Sequence, residues 1–170
     1  MVEALGARTS HNVGMLVKEA LTFRPCQASD LVFIARLSSE AFSEYTSRAV
    51  SHTLEIVGQN ATWVALRGNE NVGFVSVAKE RDEVAVLNAI AVVRGERGKG
   101  VGFRLMQVFE RFAREHGVRR LELCTADCNL AALDLFYRRG FRLLRRRERF
   151  YERGQDACVL IKELEPQPGF

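Results

Sequence analysis

A chain of 170 residues, 47% hydrophobic and 27% charged, can bury one substantial core and is too short for two average domains. A formal net charge of +4 and a pI of about 9.1 favour an anionic ligand without requiring nucleic acid. The opening MVEALGARTSHN has Glu3 and no apolar core segment, which argues against a secretory signal, and the longest nearly apolar run, Val84 to Val93, is about half as long as a membrane helix.

These bounds imply a soluble, cytoplasmic protein that makes no use of a membrane. Cys26, Cys124, Cys128 and Cys158 form no C-x-x-C pair and have no His partner at zinc-ligand spacing, so free thiols and no metal are expected.

Residues 1–20 lack periodicity and read as a tail or accessory segment, 21–164 as the folded domain and 165–170 as a C-terminal tail. Leu21 to Pro25 reads as a short strand. Ser29-Asp30 then caps a helix whose Leu31, Ile34, Leu37 and Phe42 fall near helical spacing. A second helix, about Ser47 to Val57, leads into alternating strands at Thr62 to Leu66 and Val72 to Ala78, joined by the turn cluster Arg67 to Asn71. Val84 to Val93 is apolar on both faces, as for a strand in the middle of a sheet. After a glycine-rich loop comes an amphipathic helix, Val101 to Ala113, stopped by Gly117. A strand at Val118 to Thr125, a helix at Asn129 to Arg139 ended by Gly140, and strands at Phe141 to Tyr151 and Ala157 to Leu164 complete a mixed sheet with helices on both faces.

The loop Arg94 to Gly102 sits between an apolar strand and a helix start, which gathers backbone N–H groups and a positive helix end for a phosphate. A P-loop needs Ser or Thr after Gly-Lys, but Gly98-Lys99 is followed by Gly100. The dinucleotide fingerprint needs G-x-G-x-x-G, whereas Gly98, Gly100 and Gly102 run G-x-G-x-G, with no parallel βαβ unit expected around them. Arg97-x-x-Gly100-x-Gly102 after Ile90-Ala91-Val92, together with Asn129-x-x-Ala132 and Gly140-Phe141, resembles the GNAT superfamily of acyl-CoA-dependent N-acetyltransferases. That resemblance covers about Leu21 to Leu164. It implies an α/β (α+β) fold with a mixed, mainly antiparallel sheet, and acetyl-CoA as the acetyl donor. Its pyrophosphate would lie against Arg97, Gly98, Lys99, Gly100, Val101 and Gly102, where absent Cβ atoms allow close approach. The backbone of Ile90, Ala91 and Val92 would hold the thioester and pantetheine arm, and Asn129, also suited to a helix N-cap, would bind the pantetheine region.

Attack by an amine calls for a free lone pair and then protonation of the leaving thiolate. The stretch Asn88-Ala89-Ile90, where many family members carry a Glu, has no carboxylate. Leu121-Glu122-Leu123 looks like the L-E-V strand of ribosomal-protein N-terminal acetyltransferases, which makes Glu122 the candidate base, although the segment from Glu122 to Asn129 is two residues longer here. The family's acidic Tyr falls on Phe136, and the neighbouring phenol Tyr137, about 100° further round a helix, is the candidate general acid. Arg149-Phe150-Tyr151 through Asp156-Ala157 is similar to the R-x-Y-Y-x-x-G-x-D-A run of peptide N-terminal acetyltransferases. The expected acceptor is a small-molecule amine or a peptide N-terminus, and a homodimer is an open option. The rival classes are an acyl-CoA-binding regulator without turnover and a nucleic-acid module using the arginines Arg138 to Arg153; the latter is disfavoured by Glu148, Glu152 and the lack of a stacking pattern.

Overall fold

The computed structural model describes residues 19–166. Its elements run β1 (Leu21–Pro25), α1 (Leu31–Phe42), α2 (Ala49–Gln59), β2 (Ala61–Arg67), β3 (Glu70–Arg81), β4 (Val84–Val92), α3 (Val101–Glu115), β5 (Arg120–Ala126), α4 (Leu130–Arg138), β6 (Arg142–Arg147) and β7 (Ala157–Glu163). The expected accessory segment 1–20 and tail 165–170 fall almost wholly outside the described residues.

One sheet holds the strands in the order β1-β2-β3-β4-β5-β7-β6. All neighbours are antiparallel except β4 and β5. Period-two alternation sends β3 side chains to opposite cores. Phe74 joins Ile34, Leu37 and Val57 under α1 and α2, while Val75 and Val77 join Leu105, Phe109 and Phe112 under α3. The central place of β4 explains why both of its faces are apolar.

The parallel pair corrects one expectation. β4, α3 and β5 do form a parallel βαβ unit, but it is short: the pairing covers only Val84 to Leu87 against Arg120 to Leu123. Beyond it the strands part, and the physical cause lies in β4 itself. Val77 pairs with Leu87 and Ser76 with Ala89, so Asn88 is an extra, unpaired residue, and such a bulge bends and twists its strand. The polar interruption of the apolar run is therefore the point at which the sheet splits.

Two further details differ from the sequence reading. Asp30 is no side-chain cap of α1: its carboxylate turns back to Arg24 (2.6 and 2.9 Å), the Gln27 N–H (2.8 Å) and Asn71 (3.0 Å), tying β1, α1 and β3 together. β6 ends at Arg147, well before Tyr151, because Arg149 takes a left-handed φ of 46° and a turn follows, with Gly154 N–H donating to the Tyr151 carbonyl at 2.9 Å. Residues 148–156 thus form a loop that reaches towards the α1–α2 connection.

Candidate active site

The glycine loop is built as a set of free donors. Gly98 and Gly100 have φ of 71° and 84°, a region that favours glycine, and Gly100 is the N-cap of α3. The N–H groups of Gly98, Lys99 and Gly100 have no acceptor among the described residues, and those of Val101 and Gly102 open a 15-residue helix whose first amides lack intrahelical partners. A Cβ placed at Gly98 or Gly100 would meet no protein atom within 4 Å, so both glycines border open space. Gly102 differs: its Cβ would stand 3.2 Å from a Leu135 methyl, so it also lets α3 approach α4 closely. Val101 is buried and can offer a ligand only its backbone.

Charge is arranged around these donors unequally. Arg97 donates through Nε to the Val92 carbonyl at 3.0 Å and has no carboxylate partner among the described residues, which leaves its outer nitrogens to the loop. Lys99 lies 3.4 Å from Glu96, a carboxyl held below its ordinary range first by the hydrogen bond from Arg67. Arg97 is accordingly the less neutralised cation.

Where β4 and β5 part, the edge of β4 from Asn88 to Val92 faces an open cleft. The cleft continues into a cavity of about 330 Å³, walled by Asn88, Ala89 and Ile90 of β4, Cys124 to Ala126 of β5, and Asn129, Ala132 and Phe136 at α4. Its far side is formed by Tyr45, Thr46, His52 and Ile56 around α2 and by Phe150, Tyr151 and Glu152 of the loop after β6. Burial pushes the phenols of Tyr45 and Tyr151 far up, so both stay protonated at neutral pH, and it also raises the Cys124 thiol although that side chain is open to the cavity.

The cleft brings together Ile90, Asn129 and the open edge at Ala91 and Val92. Asn129 caps α4, its Oδ1 accepting from the Ala132 N–H at 3.2 Å; it also lines the cavity, and its amide nitrogen has no protein acceptor among the described residues. The two expected catalytic groups are placed elsewhere. Phe136 is 3% exposed and lines the cavity, whereas Tyr137 is 48% exposed on the outer side of α4, because one helical residue turns the side chain by about 100°. Glu122 is not part of the cavity wall; its carboxylate is engaged by Arg120 (3.2 Å) and Arg81 (3.5 Å). The sequence pattern did not single out His52. Its only signal is the stripe Ala49, His52, Thr53, Ile56, which puts one imidazole on an otherwise inward-looking helix face. Of the arginines of the rival reading, Arg142, Arg145, Arg146 and Arg147 lie on the exposed edge strand β6, Arg138 and Arg139 close α4, Arg149 and Arg153 lie in the following loop, and none of them lines the cavity.

Comparison with known proteins agrees with this architecture. Probable N-acetyltransferase 14 of Xenopus tropicalis is 33% identical over 89 residues, 51% of this chain and 43% of that protein. N-alpha-acetyltransferase 30 of Schizosaccharomyces pombe is 28% identical over 127 residues, 72% of this chain and 82% of that one. Three of the curated relatives are matched over less than half their own length. A solved GNAT acetyltransferase from Elizabethkingia anophelis with acetyl-CoA bound aligns at a TM-score of 0.72 and 19% identity, over 85% of this chain and 98% of that chain, a likeness of fold. Among the described residues no helix is long and apolar enough to cross a membrane. The family model for the acetyltransferase (GNAT) family matches residues 31–141, and with the split sheet and glycine loop already in view, the chain belongs to that family.

Proposed function

We propose that this protein transfers the acetyl group of acetyl-CoA to a primary amine by direct attack within a ternary complex. The observation that carries the reading is placement along one strand: β4 lines the cavity with Asn88, Ala89 and Ile90, leaves its edge unpaired with β5 beyond Leu87, and leads into the loop donors at Gly98 to Gly102, so a long anionic donor lying along that edge would meet a small acceptor at Ile90. Acetyl-CoA would supply an activated thioester carbonyl. Loop amides and Arg97 would hold the pyrophosphate, and the unpaired β4 backbone would orient the pantetheine arm and polarise the carbonyl.

An amine must lose a proton before or as it attacks, and the leaving thiolate must gain one. We assign the first task to His52, the imidazole of the cavity wall, from which the proton returns through water to the thiolate. Tyr151, held protonated, hydrogen-bonds the developing sulfur anion but is too weak an acid to give up its proton. Glu122 and Tyr137 take no part. The free thiols Cys26, Cys124, Cys128 and Cys158 suit a reducing, cytoplasmic setting.

The test is His52→Gln against Glu122→Gln, each assayed for acetyl transfer over pH. We expect His52→Gln to lower kcat about 100-fold with unchanged CoA affinity, and Glu122→Gln to keep the wild-type profile. The reverse pattern would refute the assignment.

A further inference from the structure

The far wall of the cavity is closed by a clasp between two loops. Thr46 Oγ1 donates to Glu152 Oε2 at 2.8 Å, the Ser47 N–H donates to the same oxygen at 3.0 Å, and Gln155 Nε2 donates to the Glu44 carbonyl at 2.8 Å. Between these bonds the Tyr45 and Tyr151 rings lie 5.4 Å apart. The hydrogen bonds from Ser47 and Thr46 hold the Glu152 carboxyl below its ordinary range, so it is ionised at neutral pH.

Charge in the cavity is opposite to that of the chain. Formal net charge is +4, yet among the described residues no Lys or Arg lines the cavity and Glu152 is its one carboxylate. The bonds from Thr46 Oγ1 and the Ser47 N–H both fall on Oε2, while the Ser47 hydroxyl and the Arg153 guanidinium also act on the carboxylate. The rings of Phe42, Tyr45 and Tyr151 line the same cavity, aromatic surface of a kind that attracts cations, whereas the Phe150 ring already carries the Arg147 guanidinium at 4.2 Å. A clasped cavity of about 330 Å³ suits a small molecule better than a threaded chain.

We propose that Glu152 binds a second ammonium group of the acceptor, so that the acceptor is a small diamine or polyamine, one nitrogen held by this carboxylate and the other presented to the thioester. The inference rests on the transfer reading above for the fate of the second nitrogen, and on the cavity alone for binding.

The experiment is calorimetric titration of the CoA-loaded protein with 1,4-diaminobutane, with butylamine and with an alanine-initiated peptide that has no basic side chain, alongside a mass assay for acetylated product from acetyl-CoA. Diaminobutane should bind wild type about fivefold more tightly than butylamine. That difference should vanish in Glu152→Gln, whose side-chain carbonyl can still accept from Thr46 and Ser47, and should persist in Thr46→Val, which loses one clasp bond but no charge. Equal affinities in wild type, a difference surviving Glu152→Gln, or peptide binding without diamine binding would overturn the proposal. Diamine binding that depends on Glu152 without any product would leave it standing and overturn the transfer reading instead.

Discussion

Replacing Gly100 with alanine separates the cost of strain from the loss of a ligand site. At φ 84° an alanine pays about 1–2 kcal/mol in backbone strain, but the added Cβ meets no protein atom within 4 Å, so no clash adds to it. For a chain of this length that is a fall in Tm of about 2–8 °C, leaving the protein folded. The methyl group instead fills the space in front of the free N–H groups. A hydrogen bond to a charged partner is worth about 1.5–3 kcal/mol, so losing one should weaken CoA about 10- to 150-fold. Gly102→Ala is the contrast: its methyl presses a movable Leu135 side chain at 3.2 Å while alanine gains about 1 kcal/mol of helix propensity, and stability should stay within about 1 kcal/mol of wild type. Calorimetric titration with CoA and thermal unfolding measure the two effects. A folded Gly100→Ala protein that binds CoA within about threefold of wild type would refute the cradle.

Other outcomes follow from single placements. Tyr137→Phe should keep turnover within about twofold, since the phenol is exposed outside the cavity, whereas Phe136→Ala should cost about 3 kcal/mol of stability by truncating a buried ring; urea unfolding and a rate assay check both. The Asp30 carboxyl is depressed to about 2, first by Arg24. Its contribution of about 2 kcal/mol is therefore present above about pH 4 and is lost as pH falls towards 2, so Asp30→Asn should be less stable at neutral pH and show a flatter acid limb in pH-dependent unfolding. Burial raises the Cys124 thiol, so alkylation by iodoacetamide should be slow at pH 7, quicken with rising pH, and block amine transfer without blocking CoA binding; mass spectrometry and titration follow it.

Local periodicity was enough to read most elements, because strands β2 to β4 are joined by short turns and each helix has a glycine or polar residue at its ends. What local pattern cannot hold is pairing at a distance. β5 reaches β4 only after a 15-residue helix, and nothing within either strand states that they run parallel for four residues and then part. Asn88 was visible as a polar break, but a bulge is defined by the partner strand, whose register is absent from the sequence. The catalytic candidates Tyr137 and Glu122 lie off the cavity wall for a related reason. Tyr137 has the chemistry of an acid, but the phase of α4 delivers Phe136 to the cleft, and Glu122 has the strand likeness of a base, but its carboxylate lies with Arg81 and Arg120 and not on the cavity wall. His52 and Glu152 sit on segments that meet only across the finished cavity, 100 positions apart in the chain.

Catalysis of acetyl transfer to an amine by loop and cavity together is tested most directly by one assay: acetyl-CoA incubated with the protein and a panel of diamines, monoamines, amino acids and N-terminal peptides, with acetylated amine and free CoA quantified by mass spectrometry. Equal amounts of the two products are expected with at least one diamine, at rates that depend on His52. Measurable CoA binding with no acetylated amine anywhere in the panel would contradict it.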